Sequence, residues 1–183
     1  LIPAGGGCKE LALRAARWAA QSGASGEVLG NLSPTFMTVA MGKMSKSAHE
    51  AIDLGFGKAG DTILFNAREL LFVALKEARL LADAGYVPPV PARGVPVAGR
   101  AGIASMEMTL VNMREGGMIS AHDYRVSRAV AVALCGGEIE YGSLVDEAWL
   151  LAVERRQFLE LLKTPETQAR IKHMLDTGKP LRN

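Results

Sequence analysis

Apolar residues recur three or four positions apart through most of this chain of 183 residues, and glycine or proline closes the runs. A helical period cannot also alternate across a sheet, so the pattern predicts a mainly α fold with at most a short β-strand. Gly5 to Gly7 lead into a first helix, with Leu11, Ala15, Trp18 and Ala19 on one face and Glu10, Arg14 and Arg17 on another. It ends near Ser22-Gly23, with turn residues continuing through Gly26. Asn31 to Met41 reads as a short apolar helix with Pro34 in its first turn. Ser47 and Glu50 form a capping box for a helix that Gly55 stops. Asp61 to Phe65 reads as a short strand, with Ile63 and Phe65 on one face. Asn66 with Glu69 starts a helix that runs to about Ala84, with Leu70, Leu71, Ala74, Ala78 and Leu81 as its stripe.

The stretch from Val87 to Pro96 is proline-rich and reads as an extended connector. The expected organisation is a first part over 1–86, the connector over 87–96 and a helical bundle over 97–183. In the bundle Ile103, Met106, Leu110 and Met113 form one stripe, and Ser120 with Asp123 suits the start of the next helix. The longest helix is expected from Ser143 to about Leu162, with Leu144, Ala148, Leu151, Phe158 and Leu162 inward. Thr164 as N-cap and Pro165 at the first helical position open a last helix, which Gly178 and Pro180 stop.

Composition removes several function classes. Lysine plus arginine number 21 against 19 aspartate plus glutamate, a net charge of +2, so the chain is no strongly basic nucleic-acid binder. Aromatic residues are 5%, too few for a base-stacking platform. No apolar run approaches the roughly 18 residues of a membrane span. Two cysteines, Cys8 and Cys135, support neither a disulfide framework nor a Cys-rich zinc site, and a reducing cytoplasm is the simplest setting. The mean hydropathy of +0.13 calls for much buried apolar surface, including surface against another chain or a further segment. The chain opens on Leu1 within what reads as a connection between elements, and the expectation is that it was cut from something longer.

Few residues suggest chemistry by themselves. Gly5-Gly6-Gly7 could bring backbone N–H groups close to a ligand at a helix start, but it is neither G-x-G-x-x-G nor a P-loop, and from pattern alone it reads as a tight turn. His49, His122 and His173 show no metal-ligand spacing, and solvated or partly buried roles fit them. Cys8 at a helix N-terminus could have a lowered pKa, though a buried small residue is the simpler reading. Met37, Met41 and Met44, with Met106, Met108 and Met113, could line an apolar groove for an acyl chain; ordinary core filling is the simpler alternative. Lys172, Lys179 and Arg182 make the C-terminal segment basic and read as a solvated tail. No metal site is expected.

Leu1-Ile-Pro-Ala-Gly-Gly-Gly-Cys-Lys-Glu-Leu resembles the crotonase (enoyl-CoA hydratase/isomerase) segment G-[LT]-I-P-G-x-G-G-T-Q-R-L. Met41 to Phe56 resembles that family's T-G-x-x-I-x-A-x-E-A-x-x-x-G-L-V block, with an insertion around residues 21 to 35. Gly102 onward, including Asn112 to Gly117, Cys135-Gly-Gly and Thr167 to Asn183, resembles the C-terminus of fused bacterial 3-hydroxyacyl-CoA dehydrogenase/enoyl-CoA hydratase proteins of fatty-acid β-oxidation. The resemblance implies that residues 1–86 are the C-terminal half of a crotonase-like domain. It implies a parent acting on acyl-CoA thioesters, with an enolate-like transition state held by backbone N–H groups and worked by glutamates.

On that resemblance the main catalytic groups lie upstream of Leu1, and no catalytic residue is expected in this chain. What remains is one wall of the pocket, with Pro3, Ala4, Gly5 and Gly6 as the substrate-binding residues. Ala4 stands where hydratases carry a glycine whose N–H faces the reacting water, and Cys8-Lys9-Glu10 replaces Thr-Gln-Arg. Coenzyme A enters as part of the substrate, and NAD belongs to an N-terminal dehydrogenase domain outside this chain. The expected partners are an acyl-CoA, the N-terminal part of the same polypeptide and a second copy in a homo-oligomer. The alternative is a non-enzymatic helical interaction or oligomerisation module.

Overall fold

A computed structural model describes residues 1–23 and 27–183. The turn expected through Gly26 falls partly on residues 24–26, outside the described residues. The architecture is mainly helical: α1 (Gly7–Gln21), α2 (Val28–Ala40), α3 (Ala48–Asp53), a 3-10 turn (Ala67–Glu69), α4 (Leu70–Asp83), β1 (Val95–Pro96), α5 (Gly99–Glu115), α6 (Ala121–Leu134), β2 (Leu144–Val145), α7 (Glu147–Leu162) and α8 (Pro165–Thr177). The two strands are antiparallel, with Val95 opposite Val145 and Pro96 opposite Leu144. None of the described helices is long and apolar enough to cross a membrane.

The chain divides into two compact units, 1–44 together with 92–183, and 45–91. This partition differs from the boundary expected at the connector, because α1 and α2 pack with α5, α6 and α7. In the larger unit α6 is central. Its Val130, Ala131, Val132, Ala133 and Leu134 are all buried, and α5, α2, α1 and α7 surround it. Such a helix, apolar on nearly every side, needs neighbours all round. Leu11, Ala15 and Ala19 of α1, Leu32 and Phe36 of α2, and Ile103, Met106 and Leu110 of α5 complete the core. Each fully buried Leu or Phe side chain stabilises the fold by about 1.5–3 kcal/mol.

Local chemistry accounts for most helix boundaries. Ser120 and Asp123 make a reciprocal capping box, Oγ accepting from Asp123 N–H at 3.0 Å and Oδ2 from Ser120 N–H at 3.1 Å. Thr164 caps α8 with Pro165 at its first position, and Gly178 closes it at φ 69°. Ser47 caps α3, but the Glu50 carboxylate accepts from Lys46 N–H rather than from Ser47. In the smaller unit Asn66 accepts from Arg68 N–H and opens the 3-10 turn before α4.

Several expectations are corrected. α2 starts at Val28, so Pro34 lies inside the helix and not in its first turn. A proline inside a helix removes one backbone hydrogen bond and its ring crowds the carbonyl four residues earlier, together costing roughly 3 kcal/mol or more. Burial of Val28, Leu32 and Phe36 offsets that loss. Residues 61–65 form no strand; among the described residues nothing pairs with them, and an isolated strand has no ladder. The stripe of α4 is not buried: Leu70 is 61% and Leu71 71% exposed. Trp18 is half exposed, because α1 buries Ala12, Leu13 and Ala16 as well as its expected face. α7 begins at Glu147 after the Asp146 cap, and it turns Leu150, Val153, Glu154 and Leu161 inward while Leu144, Ala148 and Leu151 are exposed. Its phase was obscured because a carboxylate occupies a core-facing position.

Candidate functional site

The opening turn ends on Gly6, the N-cap of α1, at φ 100°. Only glycine takes this conformation freely, and glycine brings no side chain to cap the helix. The free N–H groups at this end must therefore find another acceptor. They find it on α7. Glu154, 2% exposed, accepts from Gly6 N–H through Oε1 at 2.7 Å and from Lys9 N–H through Oε2 at 2.9 Å. Gly6 is the N-cap and Lys9 the third helical residue, so one remote carboxylate supplies both bonds of a capping box. The negative charge also suits the positive end of the helix dipole.

Two turns earlier on α7, Glu147 lies on the same face. Its Oε1 accepts from Lys9 Nζ at 2.7 Å, and its Oε2 accepts from Ala92 N–H at 3.1 Å. Glu10 takes a second Lys9 contact at 2.6 Å. Burial by itself pulls the Lys9 pKa down, but the hydrogen bonds it donates to Glu10 and Glu147 outweigh it and hold the ammonium above its ordinary value. The Lys9 hydrogen bond draws the Glu147 carboxyl below its usual range, helped by Ala92 N–H. The first turn of α1 is thus clamped to α7 by its backbone and by a side chain.

Above the clamp is a cavity of about 690 Å³ lined by Leu1, Ile2, Ala4, Gly5, Leu151, Glu154, Arg155 and Phe158. Ala4 and Gly5 are exposed on it, Pro3 is half-buried and Gly6 is buried. Pro3 carbonyl accepts from Cys8 N–H at 3.1 Å. No described non-glycine residue has a positive φ, so Ala4 occupies its place without strain. Of the four turn residues singled out in the sequence, Ala4 and Gly5 line this cavity while Pro3 and Gly6 flank them outside its lining, and Arg155 supplies a cation there. Glu154, Glu147, Arg155 and Phe158 were missed as parts of this site. The one sequence signal was indirect: a helix start with glycine at the cap needs an acceptor from elsewhere.

The other candidates do not join this site. Cys8 is fully buried, and burial followed by the Glu154 charge pushes its thiol up to about 12, opposite to an activated nucleophile. Cys135 is buried likewise, its thiol also pushed up to about 12. His49 is exposed on α3, and His173 is half-buried on α8. Met106 and Met113 are core, whereas Met44 and Met108 are largely exposed, so the methionines line no common groove. Lys172 pairs with Asp176 on the surface. Among the described residues no group of three His, Cys, Asp or Glu could hold a metal ion.

His122 is buried at the start of α6, with Nε2 at 3.0 Å from Thr167 Oγ1 on α8. Burial, then the Arg170 charge, lowers its pKa from 6.5; Arg125 acts in the same sense and Glu166 opposes. A lowered folded pKa means that the unfolded chain binds the proton more readily. Stability is therefore complete above about pH 6.5 and falls as the pH drops below it. Thermal unfolding followed from pH 7.5 to pH 5 should show a falling Tm in the native protein and a shallower fall in His122→Gln. Equal slopes would place the pH dependence elsewhere.

The chain is 39% identical over 183 residues to the "Probable 3-hydroxyacyl-CoA dehydrogenase" of Bacillus subtilis (strain 168), a match that covers 100% of this chain and 22% of that protein. The chain thus spans less than a quarter of the length of this relative. No protein-family model matches the chain, and no solved structure matches it.

Proposed function

We propose that this chain is the C-terminal portion of a 3-hydroxyacyl-CoA dehydrogenase-type protein of fatty-acid oxidation, in which it supplies one wall of an acyl-CoA pocket and an assembly surface. The observation that carries this is the 39% identity sustained across all 183 residues. On this reading the exposed Ala4 and Gly5, flanked by Pro3 and Gly6, face the thioester end of the substrate, and the half-buried Phe158 with the exposed Leu151 offers apolar contact to the acyl chain. The unstrained backbone at Ala4 is compatible with an N–H donor at the position where hydratases carry glycine. A fused enoyl-CoA hydratase, with residues 1–86 completing a crotonase-like domain, is the finer form of the same proposal and rests on the 1–11 and 41–56 blocks. A cytoplasmic location goes with it.

The described residues do not fit a dinucleotide. The glycine-rich helix start already holds the Glu154 carboxylate, and the two-residue strands are antiparallel, not the parallel strands of a nucleotide-binding βαβ unit. NAD is therefore assigned to a domain outside this chain, and no hydride-transfer step is assigned to these residues.

The test compares two polypeptides. Residues 1–183 alone should neither hydrate crotonyl-CoA nor form NADH from a 3-hydroxyacyl-CoA, while the full-length polypeptide should form NADH. Hydration by 1–183 alone would show that the reactive groups are within it, and no NADH from the full-length polypeptide would remove the dehydrogenase reading.

A second reading, a helical interaction module, is favoured by α4. Its Leu70, Leu71, Phe72, Leu75, Leu80 and Leu81 are 49–71% exposed, although solvated helices usually keep one polar face and bury the other. Calorimetry with an acyl-CoA, read beside light scattering, distinguishes the two: self-assembly without acyl-CoA binding supports the module, and acyl-CoA binding supports the first.

A further inference from the structure

We infer that Glu154 is a positioning residue for the acyl-CoA wall: from α7 it fixes the opening turn so that Ala4 and Gly5 stay on the cavity rim. The inference rests on the proposed acyl-CoA role of that turn. Its physical basis is separate and concerns how the turn is held.

Gly5 and Gly6 both have positive φ, at 77° and 100°. Two consecutive glycines leave this backbone with more alternatives than any other residue pair would. A rim of defined shape therefore needs an external restraint. The described contacts supply one on each side of the turn. Cys8 N–H bonds back to Pro3 carbonyl, closing the turn on itself, and the Glu154 carboxylate ties Gly6 and Lys9 N–H to α7. Charge-assisted bonds of 2.7 and 2.9 Å to a carboxylate 2% exposed are among the stronger kinds in a protein.

The same arrangement sets what the site can accept. A helix N-terminus that opens into a cavity ordinarily suits a phosphate or carboxylate. Here its acceptor is internal, so an incoming anion would compete with a fixed carboxylate. A neutral carbonyl meets no such competition at the exposed Ala4 and Gly5, and Arg155 remains on the rim for a charged part of the ligand. The site is thereby tuned to a ligand whose end at the turn is uncharged, as the acyl end of a thioester is.

The experiment uses the full-length polypeptide, with crotonyl-CoA and free coenzyme A as calorimetric probes. Glu154→Gln keeps the shape but loses the charge and sets an amide NH2 against a backbone N–H in place of one acceptor, so the turn loosens and the Kd for crotonyl-CoA should rise roughly tenfold. Free coenzyme A lacks the acyl end, so its Kd should stay within about twofold. A folded variant that binds crotonyl-CoA as the native protein does would overturn the positioning role alone. Equal weakening of both probes would also overturn it, because a general loss of structure moves both. A native protein that binds no acyl-CoA would overturn the proposed function and this inference with it. If the variant does not fold, amide exchange in the native protein decides: slow exchange at Gly6 and Lys9 supports the clamp, and fast exchange at both contradicts it.

Discussion

Gly99→Ala should lower the Tm by roughly 4–20 °C, at about 2–4 °C per kcal/mol for a chain of this size. Gly99 opens α5 at φ 50°, where an L side chain costs roughly 1–2 kcal/mol. A Cβ there would stand 2.2 Å from the Ile139 carbonyl oxygen and 2.9 Å from the Glu140 carbonyl carbon. Neither can retreat cheaply. The Ile139 oxygen accepts from Arg100 N–H at 2.8 Å, and Gly99 N–H itself donates to Cys135 carbonyl at 2.9 Å. Overlap with backbone adds roughly 1–3 kcal/mol, for a total of about 2–5 kcal/mol. A Tm within 2 °C of native, against the roughly 4 °C lower bound, would mean that the α6–β2 connection is much softer than this bonding implies.

Phe36→Ala should destabilise the larger unit by about 3–5 kcal/mol. Phe36 is 1% exposed and the bulkiest of the fully buried side chains. It sits one turn after Leu32 on α2, whose own backbone is weakened by Pro34. Hydroxyls of Ser33 and Thr35 bond back to the Leu29 and Asn31 carbonyls around that break, but they do not replace the missing N–H. α2 therefore depends on its buried face more than an uninterrupted helix would. Denaturant unfolding should show an earlier midpoint with a similar slope, whereas a loss below about 1 kcal/mol would place Phe36 outside the cooperative core.

Helices that carry their own stop and start signals were legible in the sequence. The stripe Ile103, Met106, Leu110 and Met113 is buried as its spacing requires, and the caps at Ser120 and Thr164 sit at the helix starts they announce. What depended on distant partners was not legible. Val95 and Val145 pair across 49 intervening residues, which no local pattern reveals. The inward face of α7 includes a glutamate, and hydrophobic periodicity assigns a charged residue to solvent by default. That residue explains the opening turn as well. The tight turn at Gly5 to Gly7 was legible from its own sequence, while the acceptor that holds it lies 148 positions away. The turn was thus readable and its support was not.

The central claim, that the opening turn forms a wall of an acyl-CoA site, is tested most directly by amide hydrogen exchange on the full-length polypeptide with and without crotonyl-CoA. Ligand should slow exchange at the exposed Ala4 and Gly5, with smaller changes along 151–158 of α7. Saturating ligand that leaves Ala4 and Gly5 exchanging at their original rates would contradict it.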